Sequence, residues 1–213
     1  MRVRKKADNF FNDVEKDRIS KAIEAVELNT SGEAAVMVVD ESDSYGEALT
    51  LSAVFMSGLA ALIISIATHH VTIWSYLPMV LLGFFPARFL IVKFPRLKLP
   101  FIGGKRLTEA VRERAVRAFF EKGLYKTRDA TGILIFVSLL EHKVWILGDR
   151  GIDKKIPPGF WSNLAVELAA GIREGNPCDA LCSTIARCGE ELRQHFPRKP
   201  DDRNELTNEL IFE

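Results

Sequence analysis

Two rhythms of apolar residues run through this chain. From Ala48 to Ala87, forty consecutive residues contain no Asp, Glu, Lys or Arg. The run divides at Thr68-His69-His70-Val71-Thr72. Residues 48–67 place Leu49, Leu51, Val54, Phe55, Met56, Leu59, Leu62, Ile63, Ile64 and Ile66 around every face of a helix. At about 1.5 Å per residue, roughly 20 residues reach ~30 Å, the thickness of a bilayer core. Residues 73–92 predict a second span. Trp74 and Tyr76 stand at its start, where aromatic rings suit the headgroup layer, and Arg88 is near enough to its end to snorkel. The alternative is a buried helix pair in a water-soluble domain, which two adjacent uncharged runs of this length disfavour. Ser52, Ser57, Gly58, Ser65 and Gly83 are small enough to let two helices, or two copies, pack closely.

Outside this block the rhythm is that of an α/β domain. Residues 12–28 predict an amphipathic helix, capped by Asn12 with Glu15 in the capping-box position and with Ile19, Ala22, Ile23 and Val26 on one face. Residues 33–40 form a continuous apolar run, as in a strand covered on both sides. A basic connector spans 93–107. Residues 108–122 return to helix, with Val111, Ala115, Ala118 and Phe119 in a stripe and Glu113 set to pair with Arg117. Strands follow at 132–140 and 143–148, joined by a turn at Glu141-His142-Lys143, and a tight loop at 148–151 comes next. Helices at 160–173 and 177–196 close the domain, the second with Asn176 as cap and Pro177 at its first position. Residues 197–213 make a polar tail expected to be mobile. Neither 1–47 nor 108–196 has enough strand for its own sheet. The strand at 33–40 should therefore pair with both later strands in a mixed sheet, the hairpin at 48–92 being an insertion.

The residues of this core resemble the TPM domain family. The resemblance runs over Ser31-Gly32-Glu33, the helix at 108–122, Asp129-Ala130-Thr131-Gly132-Ile133-Leu134-Ile135-Phe136-Val137-Ser138, then Glu141 through Ile152 and the closing helices. It is similar to the bacterial integral-membrane branch of that family. The resemblance implies an α/β/α sandwich with a short mixed sheet, here interrupted by a two-helix transmembrane hairpin. It also implies one of three activities: weak phosphatase, binding of calcium or another divalent ion through loop acids, or service as an auxiliary of a membrane complex. The chain departs from the common pattern in lacking a signal-peptide core near Met1-Arg2-Val3-Arg4-Lys5-Lys6, and in carrying its spans inside the domain.

Charge refines this picture. With 29 basic and 28 acidic residues and a net charge of +1, the chain offers no basic surplus for nucleic acid. Lys93, Arg96, Lys98, Lys105 and Arg106 follow the second span, whereas the short connection has no Lys or Arg. The positive-inside rule then puts both termini in the cytoplasm, at a bacterial inner membrane. The basic segment 1–6 suits anionic headgroups or solvent. Cys178, Cys182 and Cys188 would remain reduced there; Cys178 and Cys182, one turn apart, read as core residues before a redox pair.

Asp40, Asp129, Asp149 and Asp153 are the candidate metal ligands, loop-end carboxylates suited to calcium or magnesium. Turn and cap chemistry accounts for the same residues more plainly. Arg128 and Arg150 could hold a phosphate or simply pair with an Asp. No phosphatase Cys-x5-Arg or Asp-x-Asp motif and no Walker cradle appears, Gly103-Gly104-Lys105 reading as linker. No His/Glu zinc motif appears either. His69 and His70 mark the hairpin tip, and His142 and His195 have no nucleophile nearby in sequence. The expected function is an integral membrane protein with a cytosolic TPM-like domain, an assembly or auxiliary module contacting the bilayer and a membrane-protein partner or a second copy. The alternative is a divalent-ion-dependent phosphomonoester phosphatase.

Overall fold

The computed structural model describes residues 7–69, 72–198 and 210–213. The basic segment 1–6, His70 and most of the tail lie outside the described residues. The chain forms two compact units, one of residues 1–42 and 108–213 and the other of 43–107.

The first unit is a mixed α/β sandwich. Its elements are α1 (Asp13–Glu27), β1 (Glu33–Val39), most of α4 (Gly104–Glu121), β2 (Gly132–Ser138), β3 (Lys143–Gly148), α5 (Arg150–Asp153), α6 (Phe160–Arg173), α7 (Pro177–His195) and β4 (Ile211–Phe212). The sheet order is β3-β2-β1-β4, with β1 parallel to β2 and β4, and β2 antiparallel to β3. Every residue of β1 and β2 is buried. Alternation along these strands therefore feeds two cores. Ala34, Val36, Val38, Ile133, Ile135 and Val137 meet α1, α6 and α7 on one face, whereas Ala35, Met37, Leu134 and Phe136 meet Val111, Ala115 and Phe119 of α4 on the other. The capping box of α1 forms as the sequence predicts: Asn12 Oδ1 accepts from Glu15 N at 2.9 Å, and Asn12 N donates to Glu15 Oε2 at 2.8 Å.

Several expectations are corrected. β1 pairs with β2 but not with β3, because β3 occupies the far edge of β2. The end of the polar tail is a strand: β4 pairs with Met37 and Val38, Glu213 N donates to Val38 O, and Asp40 N donates to Glu213 O. The free edge of β1 recruits it. The Glu213 carboxylate then pairs with Arg114 and lies 3.3 Å from Lys122. Arg114 of α4 pairs also with Glu121 at 3.1 Å, whereas among the described residues the expected pair of Glu113 with Arg117 does not form. The loop at 148–151 continues into α5, capped by Asp149. Asn176 precedes α7, with Pro177 in its first turn, but makes no side-chain cap bond.

The second unit is a helical hairpin. α2 (Gly46–Ala67) and α3 (Ile73–Lys93) are long and apolar enough to cross a membrane. α3 continues through Pro78 and Pro86. The buried residues of α2 are Ala48, Ser52, Ala53, Ser57, Ala61 and Ser65, all small. The Cβ that Gly83 lacks would lie 3.4 Å from Ser57 Cβ, and Tyr76 Oη donates to Gly58 O at 3.2 Å, so the helices meet along a seam of small side chains. The large apolar side chains turn outward, including Leu82 at 73% exposure, Phe85 at 71% and Phe89 at 72%. A 3₁₀ segment (Pro95–Phe101) follows α3, and α4 begins already at Gly104, so most of the predicted connector is helical.

Candidate functional site

Parallel pairing of β1 with β2 divides the four candidate carboxylates between the two ends of the sheet. Asp129 precedes β2, and Asp149 follows the antiparallel β3, so these two share the end at which β1 and β2 begin. Asp153 follows on α5. Asp40 is at the opposite end, a seven-residue strand away, or roughly 20 Å. Asp40 therefore does not converge with the others. Its Oδ1 instead accepts from Ala7 N at 2.6 Å.

At the Asp149 end, two loops are in close contact. Gly151 N donates to Ala130 O at 3.2 Å. A Cβ at Gly151 would lie 2.6 Å from Ala130 O and 2.7 Å from Asp129 O, so only glycine permits this approach. Ala130 itself has φ of 55°. Asp149 Oδ1 accepts from Arg150 N at 2.7 Å as the cap of α5, and Asp153 Oδ1 accepts from Trp161 Nε1 at 3.0 Å. Asp149 thus caps a local backbone N–H, whereas Asp153 takes a side-chain donor eight residues on. Asp149 Oδ2 is the exception: it is buried without a hydrogen bond among the described residues. Arg128 and Arg150 are both exposed. No group of three or more His, Cys, Asp or Glu that could hold a metal ion occurs among the described residues.

The opposite end of the sheet carries a polar network that the sequence did not announce. Ser42 Oγ donates to Ser138 Oγ at 2.8 Å, Ser138 Oγ donates to Glu141, and Ser42 N donates to Glu141 Oε1 at 2.9 Å. Ser138 and Glu141 are buried. The network ties the loop after β1 to the β2–β3 turn, where His142 adopts a φ of 51°.

Within the second unit, the segments that enter and leave the hairpin are joined by a cluster around Tyr45. This residue caps α2 in the left-handed region, with φ of 49°, and is fully buried. Lys98 Nζ donates to Ser44 O at 2.9 Å and lies 5.3 Å from the Tyr45 ring centre. The Arg106 guanidinium lies 5.5 Å from the same ring and pairs with Asp43 and Glu47. Burial pushes the Asp43 carboxyl up, but the Arg106 bond and charge outweigh it and hold it below the ordinary carboxylate range. Sequence reasoning assigned Lys98 and Arg106 to orientation alone. Their partners lie more than fifty positions upstream, beyond the reach of local patterns.

The cysteines behave as core residues. Burial, and then the neighbouring Cys182 thiol, push Cys178 up to about 11, and burial pushes Cys188 up to about 12. At neutral pH both are protonated and poor nucleophiles.

Comparison with known proteins agrees with this architecture. The TPM domain matches residues 98–191, from the 3₁₀ segment into α7. No curated protein matches the sequence. The chain is similar in structure to the BA42 protein of the psychrophilic bacterium Bizionia argentinensis, solved by NMR, at 22% identity over 96% of each chain and with a TM-score of 0.60. That likeness is one of fold.

Proposed function

Taking residues 98–191 as a TPM domain, we propose that this protein is a membrane-held binding or assembly module. Its α2–α3 hairpin spans the bilayer, its TPM domain works at the cytoplasmic face of a bacterial inner membrane, and its client is a membrane-protein partner or a second copy. The observation that carries the reading is the packing of the hairpin. Small residues fill the seam of α2 while Leu82, Phe85 and Phe89 of α3 face outward. In water such a surface is a large exposed apolar patch; in a bilayer it is solvated. The basic residues after α3, together with their absence from the tip, support cytoplasmic termini. A reporter fused after Glu213 should read cytoplasmic, and the protein should resist extraction by alkaline carbonate. A periplasmic reading would reverse the orientation, and release by carbonate would remove the membrane role.

A second reading is favoured by one atom. The buried Asp149 Oδ2, two residues before the Gly151 that the Asp129 and Ala130 carbonyls crowd, offers oxygen to a hard cation such as calcium or magnesium. A divalent-ion-dependent phosphatase would be built here, with Asp129 and Asp153 at the rim and Asp40 excluded by its distance. Calorimetric titration of the purified protein with calcium should then give a signal that Asp149→Ala abolishes, together with phosphomonoester turnover that needs the ion. Binding and turnover both absent would leave the assembly module alone.

A further inference from the structure

The second unit holds six basic residues and two acids, and it deals with the cations in two different ways. Arg106 takes both acids, Asp43 and Glu47, and Lys98 is buried beneath the Tyr45 ring and Ser44 O. Arg88, Lys93, Arg96 and Lys105 are exposed, and among the described residues no acid lies within salt-bridge reach of them. Arg88 is the most demanding of the four. It stands within α3 five residues before Lys93, about 7.5 Å along the helix, on a surface shared with Phe85 at 71% exposure, Phe89 at 72% and Val92 at 58%. A guanidinium set among outward apolar side chains needs an anion that tolerates the same surroundings. A free aqueous phosphate does not, because it would have to lie against phenylalanine. An anionic phospholipid does: its acyl chains cover Phe85 and Phe89, and its phosphate comes within reach of a snorkelling Arg88. Phe94 at 52% exposure and Leu97 at 39% continue the apolar surface beyond the helix, with Arg96 between them.

We infer that the base of the hairpin is a binding site for an anionic phospholipid, with Arg88 as the principal phosphate donor and Lys93 and Arg96 flanking it. The site rests on the membrane reading and adds a lipid class to it. The cations thereby fall into two groups. Lys98 and Arg106 hold the protein's own entry and exit segments together, and Arg88, Lys93 and Arg96 hold lipid.

The full-length protein reconstituted in phosphatidylcholine vesicles containing one quarter phosphatidylglycerol tests this, by measuring the lipid that remains bound after detergent extraction. Phosphatidylglycerol should be enriched about fivefold over its bulk share for each cation engaged. Arg88→Gln should cut the enrichment about fivefold, Arg88→Lys should keep most of it, and Lys126→Gln, which removes a positive charge of the first unit, should leave it unchanged. Millimolar inorganic phosphate should not displace the lipid. Absence of enrichment in a protein that stays in the vesicles overturns the site while leaving the membrane reading intact. Enrichment that survives both Arg88→Gln and Arg96→Gln overturns it too, as does displacement by inorganic phosphate. Failure to remain in vesicles of either composition overturns the membrane reading itself.

Discussion

Phe136 and Phe85 are the same side chain in two settings. Phe136 is fully buried between the sheet and α4, while Phe85 is 71% exposed on α3. Around Phe136 the packing follows the rule of water-soluble domains, with large apolar groups inside and charge outside. In the hairpin the order is inverted, small residues inside and large ones outside, which is the pattern expected of helices in hydrocarbon, where no hydrophobic drive acts between them and close backbone approach is what remains. The two units therefore cannot be judged by one scale of burial. Exposure that would signal a defect in the sandwich is the organising feature of the hairpin.

Side-chain truncation gives the largest separation between them. Phe136→Ala should destabilise the sandwich by about 3–5 kcal/mol, read by denaturant unfolding in detergent, because it opens a cavity among packed neighbours. Phe85→Ala should change the same measurement by less than about 0.5 kcal/mol. The inverse substitution inverts the ranking within the hairpin: Ala61→Phe, at a buried seam position, should cost about 1–3 kcal/mol by overpacking. A loss at Phe85 as large as that at Phe136 would mean that protein, not lipid, covers the outer face of α3.

A smaller effect is expected at the sheet edge. Glu213→Ala removes the carboxylate that Arg114 and Lys122 share. It should lower stability by up to about 1 kcal/mol, the range of partly exposed pairs. Faster hydrogen exchange at the Asp40 amide, which donates to Glu213 O, would report release of β4 specifically. Unchanged exchange there would show that backbone pairing alone secures the strand.

The smallest effect is in pH, where the two units respond at opposite ends of the scale. Asp43 has a lowered pKa in the folded hairpin. Its ion pair with Arg106 is therefore fully present above the ordinary carboxylate value and is lost as pH falls through the depressed one. Cys178 and Cys188 are raised to about 11 and about 12 from an ordinary 9.0. Their contribution to the sandwich is complete below about 9 and is lost as pH rises through the raised values. Acid melts should accordingly weaken the hairpin base, and alkaline melts the sandwich. Labelling of Cys178 and Cys188 at pH 8 should be slow until the sandwich unfolds; rapid labelling of Cys188 in the folded protein would contradict its burial.

Elements with a repeating local pattern were legible in advance. The capping box at Asn12 and Glu15, the stripe of α4 and the uncharged runs of α2 and α3 each contain their own instruction. β4 was not legible, because Ile211 and Phe212 form no run and become a strand only against the edge of β1. Gly103-Gly104-Lys105 reads as linker by propensity, yet Leu107 N donates to Gly103 O at 3.1 Å and the helix begins there. The candidate acids were found as residues but not as an arrangement. Local pattern indicates where strands are, whereas strand order and direction decide which loop ends meet.

The sequence by itself determined the division of the chain into an apolar hairpin and an α/β domain, because span length, period and the absence of charge are properties of contiguous residues. Only the tertiary structure decided that Asp40 parts from Asp129 and Asp149, that Ser42, Ser138 and Glu141 join, and that Tyr45 gathers Lys98 and Arg106 while Arg88 has no acidic partner among the described residues. Each of these depends on contacts between residues distant along the chain, and such contacts are set by strand direction and helix packing rather than by neighbouring residues.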